Sequence, residues 1–360
     1  MTLSSIAGVP IVILSSQAQA QSNNVLMARN GSLVYYNIMI NDVAAVFSTM
    51  VVKGVSNGGL PNTAKFPTTQ AELNVINAYA TAHNIPLVDT GNRALAMELK
   101  TSWVETLQFT GLDYNNYVTI NTIVPNYVHD GTSNTWTLNA TTPTRQATLA
   151  LVGMHVVGSM KGHPEMVWST FEHSNNTPND SFPYVDENGN TVTVPSDLSV
   201  NNWLFCNPTA TGAFNISNIN KSGTSINATS GHTISPSNTM RIKPFGWLGP
   251  VTKPTSVNDA EISFQETANA RLIALNTDVA SNLLTGDVRK MYYQVGATWN
   301  SKINANHKHV GSIALSNSTM ETYSQETFSC FSCHASEIGS NRDIPRLTEL
   351  SHVFGASLIP

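Results

Sequence analysis

Two of the three cysteines in this chain stand in the sequence Cys-Phe-Ser-Cys-His at positions 330–334. A Cys-x-x-Cys-His sequence is where c-type haem is attached. The two thiols form thioether bonds with the porphyrin, and the adjacent histidine binds the iron. We therefore expect one covalent haem c, attached through Cys330 and Cys333, with His334 as the proximal iron ligand.

Two other interpretations of the cysteine pair are weaker. A dithiol redox pair usually sits where a strand turns into a helix, and a structural zinc site needs a second pair of cysteine or histidine ligands. The chain offers no good match for that second pair. The third cysteine, Cys206, stands alone, and we expect it to be buried and structural rather than reactive.

A second concentration of reactive side chains lies at 155–173. It contains three histidines, two glutamates and a tryptophan: His155, His163, Glu165, Trp168, Glu172 and His173. Clustered histidines serve as axial haem ligands, metal ligands or proton relays, whereas any one of them alone is as readily structural. We interpret the cluster as functional.

The histidines of this cluster are the candidates for the distal iron ligand. His155 lies inside a strong strand pattern, whereas His163 and His173 flank a segment where that pattern breaks. We therefore rank His163 and His173 slightly ahead of His155. His163 or His173 would also suit an acid or base in a haem enzyme, with Glu165 or Glu172 as the carboxylate that orients it.

Methionines and one later histidine are further candidates for the cofactor. Met320 lies before His334 on a segment that we predict to be a helix with Asn317 or Ser318 as its N-cap, so it would pack beside the porphyrin or reach the iron. Met166 offers a thioether within the histidine cluster. His352 is the one histidine that follows the motif.

Cationic side chains could pair with the haem propionates, because Lys and Arg complement carboxylates. The candidates are Lys100, Lys161 and Arg241, and the sequence does not choose among them. His307 and His309 could bind a metal, but a histidine pair at this spacing on an exposed turn is expected to be solvated.

The elements that would position these residues are mainly strands. Periodicity and turn residues predict strands near 33–40, 94–105, 117–125, 145–158 and 291–298. They also predict a short helix capped by Asn41 or Asp42, a helix near 69–82 with Leu73, Ile76 and Tyr79 at helical spacing, and helical character near 258–284. Residues 174–244 are loop-like, with a tight turn between two short strands at 186–190. The fold class is therefore α+β, with a strand-rich body built on a large antiparallel sheet, a few helices and long loops. We expect a signal peptide at 1–20, this body at 21–310, and a C-terminal haem-binding segment at 311–360 packed on it.

The first residues resemble a secretory signal peptide. An apolar run from Ile6 to Leu14 is followed by Ala18-Gln19-Ala20, the small-residue pattern of a cleavage site, although the basic start is missing. The alternative is an ordinary buried strand. A periplasmic or extracellular protein beginning near Gln21 is the expectation.

Composition restricts the partners. Hydrophobic residues make up 41% of the chain and charged residues 11%, and the net charge is −5 with no basic run. Nucleic acid and anionic membrane surfaces bind basic patches, so neither is expected as a partner. We expect no transmembrane segment.

The chain resembles a family of large bacterial exported mono-haem cytochrome c proteins, mostly without assigned function. The resemblance rests on the segments at 98–103, 154–155, 162–173 and 318–323 together with the motif at 330–334, and spans the chain from about residue 95 onward. It implies covalent haem and a location outside the cytoplasm. It implies no substrate.

Two classes of function remain open from the sequence. The first is electron transfer, with the haem exchanging electrons with a redox partner protein or a small-molecule donor or acceptor. The second is a haem enzyme of the peroxidase or oxygenase kind that uses the 155–173 cluster on the distal side. The large body and the dense polar cluster favour an enzyme, whereas the lack of a second haem motif in the sequence weakens the comparison with di-haem peroxidases.

Overall fold

A computed structural model describes residues 5–6, 9–10, 24–85, 95–129, 131, 134–246, 259–301, 308–312, 314–325 and 330–334. The fold is α+β and strand-rich, as the sequence predicts. The helices are α1 (Asp42–Lys53), α2 (Gln70–Ala82), α3 (Asp259–Asn282) and α4 (Cys330–His334). Throughout these ranges, no helix combines the length and the apolar character needed to cross a membrane.

The strands fall into four antiparallel sheets within the described ranges. They are β1 (Ser5–Ile6), β2 (Val9–Pro10), β3 (Asn24–Val25), β4 (Tyr35–Ile40), β5 (Met97–Glu105), β6 (Thr119–Pro125), β7 (Tyr127–His129), β8 (Thr135–Leu138), β9 (Thr144–Met160), β10 (His163–His173), β11 (Phe182–Val185), β12 (Thr191–Val194), β13 (Ile219–Ser222), β14 (Ser225–Ala228), β15 (Tyr292–Ser301) and β16 (Lys308–Gly311).

The helices begin at residues whose side chains satisfy free backbone N–H groups. The Asn41 side chain accepts from the N–H of Ala44 at 3.0 Å and thereby caps α1. Thr69 and Glu72 form a reciprocal capping box at the start of α2. Both helix starts and the apolar face of α2 confirm the sequence prediction.

The main sheet has the order β16-β15-β10-β9-β5-β4, with β6 also paired to β9, among the described strands. Its central strand, β9, is 17 residues long and therefore pairs with three neighbours. The strands predicted at 94–105, 117–125, 145–158 and 291–298 all belong to this sheet. The predicted turn at 186–190 joins β11 to β12.

Cross-strand register places three rows of side chains on one side of the main sheet, which we call the first face. The rows are Glu98, Val157 and Trp168, then Lys100, His155 and Thr170, then Ser102, Gly153 and Glu172. A one-residue bulge in β9 moves Leu151 onto the opposite side, the second face, together with Trp103.

Three apolar clusters hold the body together. Helices α1 and α2 cover one end of the first face, at Val157 and Trp168. A second cluster around Val104 and Ala150 covers the other end. On the second face, the sheet β3-β13-β14-β8-β7 packs against Trp103 and its neighbours. The main sheet is therefore covered on both sides.

Between the two clusters of the first face lies a polar segment at 314–325, which we call the covering segment. Its Thr319 hydroxyl bonds the Ser102 hydroxyl at 2.6 Å, and its Asn317 amide donates to the Thr170 hydroxyl at 2.8 Å. Tyr36 donates to the Thr319 carbonyl at 2.7 Å. The covering segment thus lies directly on the sheet and is largely buried.

Three sequence predictions about structure are wrong. The segment at 163–173 is the strand β10 rather than a break between strands, although its pairing with β9 shifts between His163 and Val167. The covering segment is a series of turns rather than a helix, and the Asn317 side chain accepts from the Thr319 N–H at 2.9 Å. Residues 174–244, expected to be loop-like, also contribute the strands β13 and β14 to the sheet β3-β13-β14-β8-β7.

Replacing Gly153 with Ala tests how closely the covering segment lies on the sheet. A Cβ atom there would come within 2.5 Å of the Thr319 hydroxyl and 2.6 Å of the Ser102 hydroxyl. We expect the variant to lose about 1–3 kcal/mol of unfolding free energy in urea titration, the usual cost of overpacking. Gly158→Ala is the control on the same strand, because its Cβ would lie 3.6 Å from the nearest atom. Equal stability of the two variants would contradict the contact.

Candidate functional site

Helix α4 presents the Cys-x-x-Cys-His sequence against the α1/α2 end of the first face. Phe331 is 2% exposed and packs into the cluster formed by those helices. The His334 ring lies 4.1 Å from the Trp168 ring, measured between centroids. Cys330 and His334 are both half-buried. The apolar residue of the motif therefore anchors the turn, while Cys330 and His334 stay partly accessible.

Helical geometry groups the reactive positions of this turn. Positions separated by three or four residues lie on the same side of a helix, so positions 330, 333 and 334 share one side. This is the arrangement that attachment of one porphyrin through two thioethers and an axial imidazole requires.

Trp168 is held in place by an irregularity in β10. The pairing of β9 with β10 shifts between His163 and Val167, and Met166 adopts a φ of 68° although it is 1% exposed. The Trp168 indole N–H then donates back to the Glu165 carbonyl at 3.2 Å. The indole is 6% exposed and edge-on to Phe331. The irregularity therefore fixes the ring that contacts His334.

His163 and Glu165 form a hydrogen-bonded pair at the end of the β9–β10 hairpin. The His163 Nδ1 atom lies 2.7 Å from the Glu165 carboxylate. The His163 side chain is 26% exposed and that of Glu165 is 7% exposed. A carboxylate that orients a partly exposed imidazole is a suitable geometry for proton transfer, and the Glu165 carbonyl connects this pair to Trp168.

His155 lies on the first face, diagonally next to Trp168. Its Nε2 atom is 3.1 Å from the Glu321 carboxylate of the covering segment, which also accepts from the Asn317 N–H at 2.8 Å. Burial raises the pKa of Glu321, but His155, Lys100 and the Asn317 N–H outweigh it and hold that pKa below its usual value. The pair is a hydrogen-bonded contact between the sheet and the covering segment.

Glu172 and Arg241 form an ion pair that is almost completely buried. The guanidinium donates to the carboxylate at 2.6 and 3.3 Å, and both side chains are at most 1% exposed. The Ser318 backbone N–H also donates to Glu172 at 2.8 Å, and the Ser318 hydroxyl makes a second bond to it. Glu172 therefore joins β10 to the covering segment.

This pair changes the role that the sequence suggested for two residues. Arg241 was a candidate partner of a haem propionate, but it is enclosed by Glu172, Asn179 and the Tyr293 ring. Glu172 was a candidate to orient a catalytic histidine, but its oxygens are bonded to Arg241 and Ser318. Both residues are structural, because leaving a buried charge unpaired is costly.

His173 is also bonded on both sides. Its Nε2 atom is 3.1 Å from the Asn116 carbonyl, its Nδ1 atom accepts from the Asn175 N–H at 3.1 Å, and its ring stacks on Tyr117. Burial lowers the pKa of His173 to about 4. His173 lies five residues beyond Trp168 along β10, which is about 17 Å of strand. The structure does not bring it to α4.

The methionines lie in apolar clusters. Met320 is completely buried in the cluster around Val104 and Ala150, at the end of the first face away from α1 and α2. The structure therefore places it apart from the cluster that holds Phe331, contrary to its assignment as a cofactor-contacting residue on a helix. Met166 packs within the α1/α2 cluster.

Some of the remaining candidate residues lie within the part of the chain that the structure describes, and others lie outside it. Cys206 is completely buried, as expected, and burial raises the pKa of its thiol to about 11, which keeps it protonated and unreactive. Lys161 lies exposed at the β9–β10 turn. His307, His352 and residues 11–20 of the predicted signal peptide lie outside the described residues.

The structure also shows contacts of the candidate site that no local sequence pattern indicates. Glu321 lies in the segment at 318–323, far along the chain from His155, yet it bonds that histidine. The pairing of Glu172 with Arg241 joins residues that lie far apart in the chain, so no local pattern could indicate it. Trp168 was noted within the cluster, but its contact with His334 depends on the sheet.

Searches of the described residues for groups of three or more histidine, cysteine and acidic side chains that could hold a metal ion find none. Comparisons of the chain with protein-family models, curated proteins and solved structures find no match.

The lowered pKa of His173 predicts that the free energy of unfolding decreases in acid. The unfolded pKa is near 6.5 and the folded pKa about 4, so between these values the unfolded chain binds a proton that the folded chain does not. Stability is therefore full above pH 6.5 and falls as the pH drops, by roughly 3 kcal/mol at pH 4. Urea titrations at a series of pH values measure the unfolding free energy. His173→Gln should lack this part of its pH dependence, whereas the exposed His232→Gln should keep it. Parallel slopes in all three proteins would contradict the assignment.

Proposed function

We propose that this protein is an exported mono-haem c-type cytochrome that transfers electrons. The observation that carries the proposal is the Cys-x-x-Cys-His helical turn, anchored by buried Phe331 and flanked by Trp168. When bound, haem supplies a one-electron Fe(II)/Fe(III) couple. The residues that would hold it are Cys330, Cys333 and His334.

The donor set and its surroundings fit a covalent haem. Two thiols and an imidazole at this spacing meet the requirement for thioether attachment and proximal ligation. Trp168 and Phe331 supply apolar aromatic surface beside the turn, and burial of this kind raises the cost of the more highly charged oxidised state. Cys206 is remote in sequence and buried, so it does not compete with the pair.

Electron transfer is favoured over a closed enzyme site because the turn is only partly covered. Cys330 and His334 are half-buried, whereas the flanking Phe331 and Trp168 are buried. A carrier needs an accessible cofactor edge and a redox partner, but no substrate pocket. The low charge content and the absence of a basic run in the sequence favour a partner other than nucleic acid.

A haem enzyme is the second candidate, and the observation that favours it is the His163–Glu165 pair. Its 2.7 Å hydrogen bond and partial exposure suit an acid or base, and it is connected to His334 through Trp168. His173 and Glu172 do not belong to this candidate site, because their polar atoms are bonded within the body.

Replacing both motif cysteines tests covalent attachment. In the Cys330→Ala, Cys333→Ala double variant, we expect all haem to be extracted into acidified organic solvent, because the thioethers are the covalent link. Wild type and Cys206→Ala should keep the absorbance of haem on the denatured chain. Haem that remains bound to the denatured double variant, or wild type that carries none, would overturn the proposal.

Optical spectra separate the two candidate functions. For electron transfer, we expect sharp α and β bands in the reduced protein that carbon monoxide leaves unchanged, because both axial positions of the iron are filled. Spectra of His163→Ala and Glu165→Gln should then match wild type. A high-spin spectrum that changes with carbon monoxide or peroxide, and that responds to these two substitutions, would favour the enzyme.

A further inference from the structure

The contact between Trp168 and His334 is part of the protein interior rather than a chance surface encounter. Their ring centroids are 4.1 Å apart with a 42° angle between the planes. Trp168 is 6% exposed and also meets Phe331 edge-on at 6.1 Å. The strand, the helical turn and the α1/α2 cluster therefore converge at this indole.

The backbone near Trp168 contains a strained residue, Met166, whose conformation must be maintained by its surroundings. A left-handed conformation costs an L-residue about 1–2 kcal/mol, and Met166 keeps it at φ 68° while buried. The resulting bulge lets the indole N–H bond the Glu165 carbonyl three residues earlier, at 3.2 Å. This bond, together with burial against Phe331, restricts the orientation of the indole.

We infer that Trp168 is a positioning residue that fixes the orientation of the His334 imidazole and excludes water from one side of it, thereby setting the potential of the haem. This inference rests on the proposed function. The orientation and hydrogen bonding of an axial ligand and the dielectric around it are recognised determinants of haem potential. Met166 serves the same end through the bulge.

The test is Trp168→Phe, with Trp103→Phe as the matched control. Trp103 is equally buried, at 6% exposure, and its indole N–H is also bonded, to the Thr101 hydroxyl at 2.7 Å. It lies on the second face of the sheet, away from α4. Both variants lose one indole and one hydrogen bond, so a general loss of stability affects them alike.

We expect Trp168→Phe to change the equilibrium constant for reduction about tenfold towards the oxidised form, which corresponds to about −59 mV for a one-electron couple. Water admitted beside His334 favours the more highly charged state. Trp103→Phe should keep the wild-type potential. Equal potentials in the three proteins, or equal shifts in both variants, would overturn the inference.

A measurement on wild type keeps the inference testable if Trp168→Phe does not fold. Nuclear Overhauser contacts between the Trp168 indole and the His334 ring are expected in the reduced haem-loaded protein, and their absence would overturn it. Haem retained on the denatured chain is measured in the same preparation. Lack of haem refutes the proposed function, whereas haem without the contact or the shift refutes only the role of Trp168.

Discussion

The buried ion pair between Glu172 and Arg241 is the interaction on which the other contacts of the first face depend. Glu172 belongs to β10, Arg241 lies between β14 and α3, and Ser318 belongs to the covering segment. The Glu172 carboxylate bonds both of the others and so joins three distant parts of the chain. Removing a single partner of such a pair typically costs about 3–5 kcal/mol, because a buried charge is left behind. The pair therefore fixes where the covering segment lies.

Strand β10 transmits that constraint to the candidate site. It holds Glu172 near one end and Trp168 further along the same face, so the segment before the haem motif and the ring beside the motif share one rigid support. Gly153 on the neighbouring strand leaves room for Thr319. The proposed haem turn is thus positioned by a sheet rather than by flexible loops, which favours a defined ligand orientation.

This protein has few charged side chains, and several of them form pairs. Only 11% of residues are charged, and two buried carboxylates pair with guanidinium groups: Glu172 with Arg241, and Glu105 with Arg145 through two bonds of 2.7 Å. The Glu321 carboxylate bonds the His155 ring. The rest of the polar contact between the main sheet and the covering segment is made by Ser, Thr and Asn side chains and by the Tyr36 hydroxyl. These neutral side chains provide hydrogen-bond partners for buried backbone groups without adding charge near the helical turn α4.

The sequence by itself determined the elements whose signals are local. Asn41 and Thr69 marked the helix starts, alternation marked β5, β9 and β15, and the spacing of Cys330, Cys333 and His334 indicated a haem site that remains a prediction. Only the tertiary structure decided which histidines share a face with Trp168, that Arg241 neutralises Glu172, and that Met320 lies in a separate cluster. Those outcomes depend on strand register and on pairs separated by tens of residues, and a one-residue bulge is enough to reverse which side a residue faces.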